Sequence, residues 1–115
     1  MLINLSNHPS SRWTDTQRAA ALDIYGSIKD IAFPNVPPAM SGAELNELTA
    51  DYLKKVLDSE PQAVHVMGEM TFTFRLVTIL KKMKISCIAS TTNRTVEEKD
   101  GKKIVMFEFV QFRAY

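Results

Sequence analysis

The chain has 115 residues, of which 45% are hydrophobic and 23% are charged, and its formal net charge is +1. This length suits one domain over residues 1–115, and the near-neutral charge argues against a protein that binds long nucleic acid through its overall field. One cysteine excludes an internal disulfide and favours a reducing compartment, so we expect a cytoplasmic protein. No apolar run approaches the ~18 residues of a membrane span, and the first residues do not resemble a signal peptide.

A short strand and then a helix are predicted at the start of the chain. The strand covers residues 2–5 or 2–6 and stops at the polar cluster SNHPS, residues 6–10. Thr14 is the predicted N-cap of the helix, because its hydroxyl can accept from the free N–H groups of the first turn, and Gln17 completes a capping box. Gly26 ends the helix, since glycine is favoured just past a helix C-terminus.

A second strand, a second helix and a third strand are predicted in the middle of the chain. The second strand, SIKDIAFP, is stopped by Pro34. Ser41 caps the second helix, with Glu44 at the capping-box position. The third strand, AVHVM at residues 63–67, is apolar on both faces, as a central parallel strand should be. The apolar positions that recur at helical spacing in the second helix are Leu45, Leu48, Tyr52 and Val56.

The last third of the chain predicts a helix, a strand and a hairpin. The helix is GEMTFTFRLVTILKKMK, residues 68–84, and the strand is ISCIAS, residues 85–90. Asp100-Gly101 then separates two extended arms, and this pair favours a hairpin because type I′ turns need a positive φ at both central residues. The apolar residues that alternate along the final arm, with a slip near Val110, are Val105, Phe107, Phe109 and Phe112.

Alternating strands and helices predict an α/β fold, a three-layer Rossmann-like domain. We expect a mostly parallel five-stranded sheet of order 2-1-3-4-5 with an antiparallel C-terminal edge strand. In such sheets ligands bind beyond the carboxyl ends of the strands, where the strand order reverses, so the loops after strands one, three and four predict one site. Its candidate ligand-binding residues are Ser6, Asn7, Ser10, Trp13, Gly68, Glu69, Thr71, Ser90, Thr91 and Thr92, and its candidate catalytic residues are His8 and Arg94.

The chemistry of these loops suits an anionic ligand. Gly68 lets a backbone approach a ligand closely, and the helix that starts near Met70 presents free N–H groups. Hydroxyls of residues 90–92 can donate to phosphate oxygens, Arg94 can add a forked contact, and Trp13 could stack on a base. No Walker A sequence, G-x-G-x-x-G motif or metal-ligand spacing is present, so we expect neither a cofactor nor a metal site.

Each of these residues also has a structural interpretation. The SNHP sequence is a common turn, and His8 could be a general acid or base or only a hydrogen-bonding loop residue. Glu69 could be a base, a ligand contact or a favourable charge at a helix N-terminus. Trp13 stands at the hydrophobic-staple position of its helix. His65 lies mid-strand among valines, which favours a satisfied core histidine over a catalytic one.

The serine/asparagine loop after the first strand, the MGE that opens a helix and the STTNR after a late strand resemble a known family. With the predicted topology, they are similar to the small stand-alone CARF-like proteins associated with CRISPR systems, over most of the chain. The resemblance implies a homodimer that binds cyclic oligoadenylate across its two-fold axis in antiviral defence, and in some members cleaves it as a ring nuclease. The positions that the resemblance places against the ligand are Ser6, Asn7, Gly68, Thr71, Ser90, Thr91 and Arg94.

A ring nuclease needs no metal, because the ribose 2′-hydroxyl attacks the adjacent phosphorus in line. In this reading backbone N–H groups and Arg94 stabilise the extra negative charge, and His8 exchanges protons with the nucleophile or the leaving oxygen. Two other classes stay open. The chain could be a nucleotide sensor that binds without cleaving, or a small interaction protein that uses Phe107 and Phe109 of its aromatic C-terminal strand as an interface.

Overall fold

Three strands and three helices alternate along the chain before a final pair of long strands. A computed structural model describes all of Met1–Tyr115. A single 3₁₀ turn, Ser10–Arg12, precedes the first helix. The strands are β1 (Leu2–Ser6), β2 (Ile28–Asp30), β3 (Ala63–Met67), β4 (Ser86–Lys99) and β5 (Lys102–Ala114), and the helices are α1 (Asp15–Tyr25), α2 (Gly42–Asp58) and α3 (Met70–Lys82).

The five strands form one sheet in the order β2-β1-β3-β4-β5. β1 pairs in parallel with β2 and β3, β3 pairs in parallel with β4, and β4 and β5 run antiparallel. The predicted strand order and the antiparallel edge strand are therefore confirmed. None of the three helices combines the length and the apolar character that crossing a bilayer requires.

Each face of the sheet packs against helices, which gives the three predicted layers. On one face Ile3, Leu5 and the valines of β3 pack against α2 and α3. On the other face Leu2, Ala63 and Ile88 pack against α1 and against the residues just before it. Because side chains alternate along a strand, this second face also receives the even-numbered residues of β1 and the odd-numbered residues of β3.

The helix caps agree with the sequence except at one residue. Ser41 and Glu44 form the complete capping box at α2, and Gly26 ends α1 with a φ of 81°. The Thr14 hydroxyl accepts from the Gln17 N–H at 3.2 Å, as predicted. The predicted capping box at α1 is wrong, because the Gln17 side chain donates to Ser90 Oγ instead of returning to the cap.

Two strands differ in length from their predictions. β2 has 3 residues, against the predicted eight, and its backbone pairs only with β1. β4 has 14 residues, so STTNR is part of a strand and not a loop. The pairing of β4 with β5 explains this, because hydrogen bonds to β5 keep β4 extended beyond the point where β3 ends. The turn is at Asp100 and Gly101, both with positive φ, as predicted.

The outer part of the β4–β5 hairpin, residues 92–109, is called the hairpin arm here, and it pairs with no third strand. At its base the register shifts between Thr91 and Thr92, because Val110 is left without a partner. This bulge is the predicted slip, and it brings the rings of Phe109 and Phe112 to 4.9 Å on one face. Beyond the bulge, Phe107 faces Arg94 across the arm.

Candidate functional site

A cavity of about 600 Å³ opens at the carboxyl ends of β1 and β3, where the strand order reverses. Its walls come from the loop after β1, the start of α1, the end of β3, the middle of β4 and one side of the hairpin arm. The residues that line it are Ser6, Asn7, His8, Arg12, Trp13, Thr14, Gln17, His65, Met67, Gly68, Ser90, Thr92, Phe107 and Phe109.

The structure brings most of the predicted site residues to this cavity and places the others elsewhere. The loop after β1 meets Ser90 and Thr92 of β4 here, as expected from the topology. The predicted residues in the lining are Ser6, Asn7, His8, Trp13, Gly68, Ser90 and Thr92. The predicted residues outside the lining are Ser10, Glu69, Thr71, Thr91 and Arg94.

Glu69 and Thr71 form hydrogen bonds with each other at the start of α3. The Glu69 carboxylate accepts from the Thr71 N–H at 3.0 Å, from the Phe72 N–H at 2.8 Å and from the Thr71 hydroxyl. The hydrogen bond from the Phe72 N–H, followed by those from Thr71, lowers the pKa of Glu69. The N–H groups that were expected to hold an anion are thus capped from within the chain.

Ser10, Thr91 and Arg94 each have another environment. The Ser10 hydroxyl donates to Asp30 Oδ2 at 2.7 Å. The Thr91 hydroxyl exchanges two hydrogen bonds with the backbone of Gln111 at the bulge. Arg94 is exposed on the hairpin arm, on the face that also carries Phe107, so it lies beyond the cavity wall on the same side.

Gly68 is required by its neighbour Phe33. A Cβ at this position would lie 2.3 Å from the Phe33 ring. That ring is held edge-on against Phe72, with ring centroids 5.2 Å apart. The missing side chain at residue 68 therefore makes room for an aromatic ring of this chain, in addition to bordering the cavity.

Trp13 is a packed wall of the cavity and not an open stacking surface. Its side chain is 6% exposed, its indole N–H donates to the His8 carbonyl at 3.1 Å, and its ring meets the His65 ring edge-on at 5.1 Å. Phe107, by contrast, is 61% exposed. The aromatic surface that a ligand can reach is therefore on the hairpin arm, at Phe107 and the half-buried Phe109.

A buried chain of polar groups runs beneath the cavity floor. Asn4 is 1% exposed and His65 is 2% exposed, and they are paired in register on β1 and β3. The Asn4 amide nitrogen donates to Asp30 Oδ1 at 2.8 Å and to the His8 carbonyl at 2.9 Å. Both partners are acceptors, so Asn4 Oδ1 must be the atom that faces His65 Nδ1 at 2.9 Å.

This orientation of Asn4 determines the tautomer of His65. An amide oxygen only accepts, so Nδ1 of His65 carries the proton. Burial lowers the pKa of His65 to about 4, which leaves the imidazole neutral near pH 7 and its Nε2 bare. Nε2 lies 2.7 Å from Ser90 Oγ, so the Ser90 hydroxyl donates to it. Gln17 Nε2 in turn donates to Ser90 Oγ at 2.9 Å.

Asp30 is the carboxylate at the far end of this series of hydrogen-bonded groups. Burial alone would raise the pKa of Asp30, but hydrogen bonds from Ser10 and Asn4 outweigh burial and lower it. Asp30 is not part of the cavity lining. The cavity lining includes Arg12 and no aspartate or glutamate, so its electrostatics favour an anion. No group of three or more His, Cys, Asp or Glu side chains is placed to share a metal ion.

Sequence reasoning missed Asn4, Asp30, Gln17 and Arg12 as parts of this region. The interpretation of His65 as a satisfied buried histidine is confirmed, since both ring nitrogens have partners. A signal for the missed residues is present in β1, where polar side chains at every second position share one face of an otherwise apolar strand. A polar residue inside a buried strand needs a partner, and this requirement points to Asn4.

Comparison with known proteins identifies one family. The family model described as the uncharacterized protein MJ1673 family matches residues 1–113 of the chain. No curated protein and no solved structure matches the chain.

Proposed function

This chain belongs to the uncharacterized protein MJ1673 family, and we propose that its cavity binds a cyclic oligoadenylate, the ligand class that the resemblance to CARF-like proteins implies. The observation that carries the proposal is the composition of the cavity wall. Phe107 and Phe109 offer aromatic surface, Arg12 offers a positive charge, and no carboxylate lines the cavity. An adenine can stack on an exposed ring while a guanidinium binds phosphate oxygens.

The size of the site also supports a nucleotide ligand. The volume of about 600 Å³ lies within the usual range of small-molecule sites, which is roughly 300–1,000 Å³. A ring of several nucleotides would extend past the cavity mouth along the hairpin arm. Arg94 lies on that side of the arm, next to Thr92 and opposite Phe107, where it can bind a further phosphate.

We also propose that the ligand is cleaved without a metal, by in-line attack of a ribose 2′-hydroxyl. His8 is the candidate proton donor or acceptor, because its exposed side chain borders the cavity while its backbone is held. The His8 carbonyl accepts from Asn4 at 2.9 Å and from Trp13 and Ser6, both at 3.1 Å. A fixed backbone keeps the imidazole near the bound phosphate, which lowers the entropy cost of the reaction. The single buried cysteine supports a cytoplasmic setting.

A homodimer that joins through the hairpin arm is part of the same proposal. The face that borders the cavity continues outward through Val105 and Val96, which are 42% and 48% exposed, and Phe107 lies between them and the cavity. A two-stranded arm that pairs with nothing else is marginally stable in water. A second copy that covers this face would bury the apolar stripe and complete the mouth of the cavity.

Calorimetric titration with cyclic oligoadenylates of several ring sizes, followed by chromatography for linear products, tests binding and cleavage separately. Phe107→Ala should weaken binding by about 5- to 100-fold, the range expected for one stacked base. Met106→Ala is the matched control, because Met106 is exposed on the opposite face of the arm. If no cyclic oligoadenylate binds the native protein, the proposal is wrong.

The exposed apolar side chains of the hairpin arm favour the alternative, a small interaction protein. In that case Phe107→Ala would shift the molecular mass measured by light scattering from dimer to monomer, and no nucleotide would bind. Binding of cyclic oligoadenylate without any linear product would instead identify a sensor that does not cleave.

A further inference from the structure

We propose that Ser90 is a nucleophile, activated by His65 and oriented through Asn4, and that it attacks the phosphorus of a phosphoric ester bound in the cavity. The inference rests on the proposed function in one respect, which is that the ligand carries phosphate. It differs in its chemistry, because it predicts a covalent bond between the ligand and the protein.

The three residues form one line across adjacent strands. Asn4 is on β1, His65 is on β3 and Ser90 is on β4. Asn4 Oδ1 lies 2.9 Å from His65 Nδ1, and His65 Nε2 lies 2.7 Å from Ser90 Oγ. A nucleophile within hydrogen-bond distance of a base, with the base held by a third group, is the arrangement that activates serine and cysteine in hydrolytic enzymes.

The direction of each hydrogen bond is the one that catalysis needs. Asn4 can only accept at Oδ1, so His65 presents a bare Nε2 to Ser90, and the Ser90 hydroxyl donates to it. Gln17 donates to Ser90 Oγ at 2.9 Å, which occupies one lone pair and leaves the other for attack. Asp30 closes the line by accepting from the Asn4 amide at 2.8 Å, so the amide cannot flip without losing that bond.

The exposure of Ser90, Asn4 and His65 indicates which of them can touch a ligand. Ser90 is half-buried and lines the cavity, so it can touch a ligand. Asn4 and His65 are 1% and 2% exposed, so they are shielded from solvent beneath it. The Ser90 N–H donates to the Met67 sulfur at 3.2 Å, and a thioether is a weak acceptor. This N–H can therefore donate to a phosphoryl oxygen as negative charge develops there.

The substrate class follows from charge. Arg12 lines the same cavity, and no carboxylate does, which suits an ester of phosphoric acid. Ser90 Oγ forms a bond to phosphorus, the bond from phosphorus to the leaving alkoxide breaks, and the Ser90 proton passes to His65 Nε2 and then to the leaving oxygen. Water then attacks the same phosphorus and gives a proton to His65 Nε2, the bond from phosphorus to Ser90 Oγ breaks, His65 returns the proton to Ser90 Oγ, and the phosphate product leaves.

A fluorophosphonate tests this directly, because phosphorus forms a bond to the activated oxygen and fluoride leaves. The native protein is incubated with the probe at neutral pH, and each modified residue is located by peptide mass spectrometry. Ser90 should be modified at least about 100-fold faster than the exposed Ser86 on the same strand, since a positioned base contributes a factor of this size or more. Ser90→Ala should abolish the modification, and His65→Gln should slow it to the rate of Ser86.

If Ser90 is not modified in the folded native protein, or is modified no faster than Ser86, the proposal is wrong. This comparison uses the native chain alone, so it holds even if His65→Gln fails to fold. The two proposals can fail independently. If the protein binds cyclic oligoadenylate but Ser90 does not react, only the proposal that Ser90 is a nucleophile is wrong. If Ser90 reacts but no nucleotide binds, only the cyclic oligoadenylate proposal is wrong.

Discussion

Oδ1 of Asn4 lies 2.9 Å from Nδ1 of His65, although the two residues are 61 positions apart in the chain. Both are buried, so each satisfies a polar group that water cannot reach. A buried polar pair stabilises the fold when both groups have hydrogen-bond partners and destabilises it when one group has none. The low dielectric of the interior strengthens a hydrogen bond and also raises the cost of an unpaired group. The first predictions concern this pair.

Acid should weaken the fold through His65. Its pKa is about 4 in the folded protein, against 6.5 for an ordinary histidine, so between these values the unfolded chain binds more protons. Stability from this group is complete above pH 6.5 and is lost as the pH falls toward 4. We expect the free energy of unfolding to drop by about 2–3 kcal/mol between about pH 7 and about pH 4.5. Urea unfolding at several pH values measures this slope, and His65→Gln should flatten it.

Asn4→Ala should destabilise the protein by more than a single hydrogen bond is worth. It leaves the buried His65 Nδ1–H without a partner, which costs about 1–3 kcal/mol, and it also removes the hydrogen bonds that Asn4 donates to Asp30 and to the His8 carbonyl. The midpoint of urea unfolding reports the change. Asn7→Ala is the control, because Asn7 is exposed and an exposed substitution shifts stability by about 0.5 kcal/mol at most. Equal effects of the two substitutions would contradict the network.

Gly68→Ala should displace the Phe33 ring and cost about 1–3 kcal/mol, the range for overpacking a filled site. The added Cβ would lie 2.3 Å from that ring. Gly42→Ala is a matched control, since a Cβ there meets only the end of the Arg75 side chain at 3.7 Å. The two melting temperatures should therefore move differently, with only Gly68→Ala lowering its value.

Arg12 should contribute more to ligand binding than Arg94, because only Arg12 lines the cavity. Arg12→Gln should weaken binding of a phosphate-containing ligand by about tenfold, equivalent to roughly 1.4 kcal/mol for one charge-assisted contact. Arg113→Gln is the control, since Arg113 pairs with Ala89 and so faces away from Ser90. Isothermal titration with adenosine oligonucleotides compares the three variants, and an Arg94→Gln effect larger than that of Arg12→Gln would contradict this assignment of the cavity.

The layered sheet was predictable because it depends on local patterns. Short apolar runs, Ser41 and Glu44 at a helix start, and Asp100-Gly101 at a hairpin tip each act over a few residues. The continuous β4 was not predictable, because STTNR is rich in residues typical of loops and becomes a strand only through its pairing with β5. Tertiary pairing overrides local preference in such segments.

The position of the cavity was predictable, but the hydrogen bonds among the residues beside it were not. The rule for ligand sites in parallel sheets correctly brought the loop at His8 together with Ser90 and Thr92. The partners of Asn4 were not predictable, since an asparagine inside a short strand does not indicate which of two neighbouring strands supplies its acceptors and donors. Arg12 was missed because the turn that carries it has no motif of its own.

The unpaired Val110 has one more consequence. Side chains on a strand alternate in direction, so one additional or missing residue reverses the side to which every later position points. If Val110 paired with Thr92 in a regular ladder, Met106 and Glu108 would turn toward the cavity in place of Phe107 and Phe109. The bulge at this single residue therefore decides whether the cavity has an aromatic wall or one with a sulfur and a carboxylate, and so it affects ligand preference without any change in the residues that hold the fold.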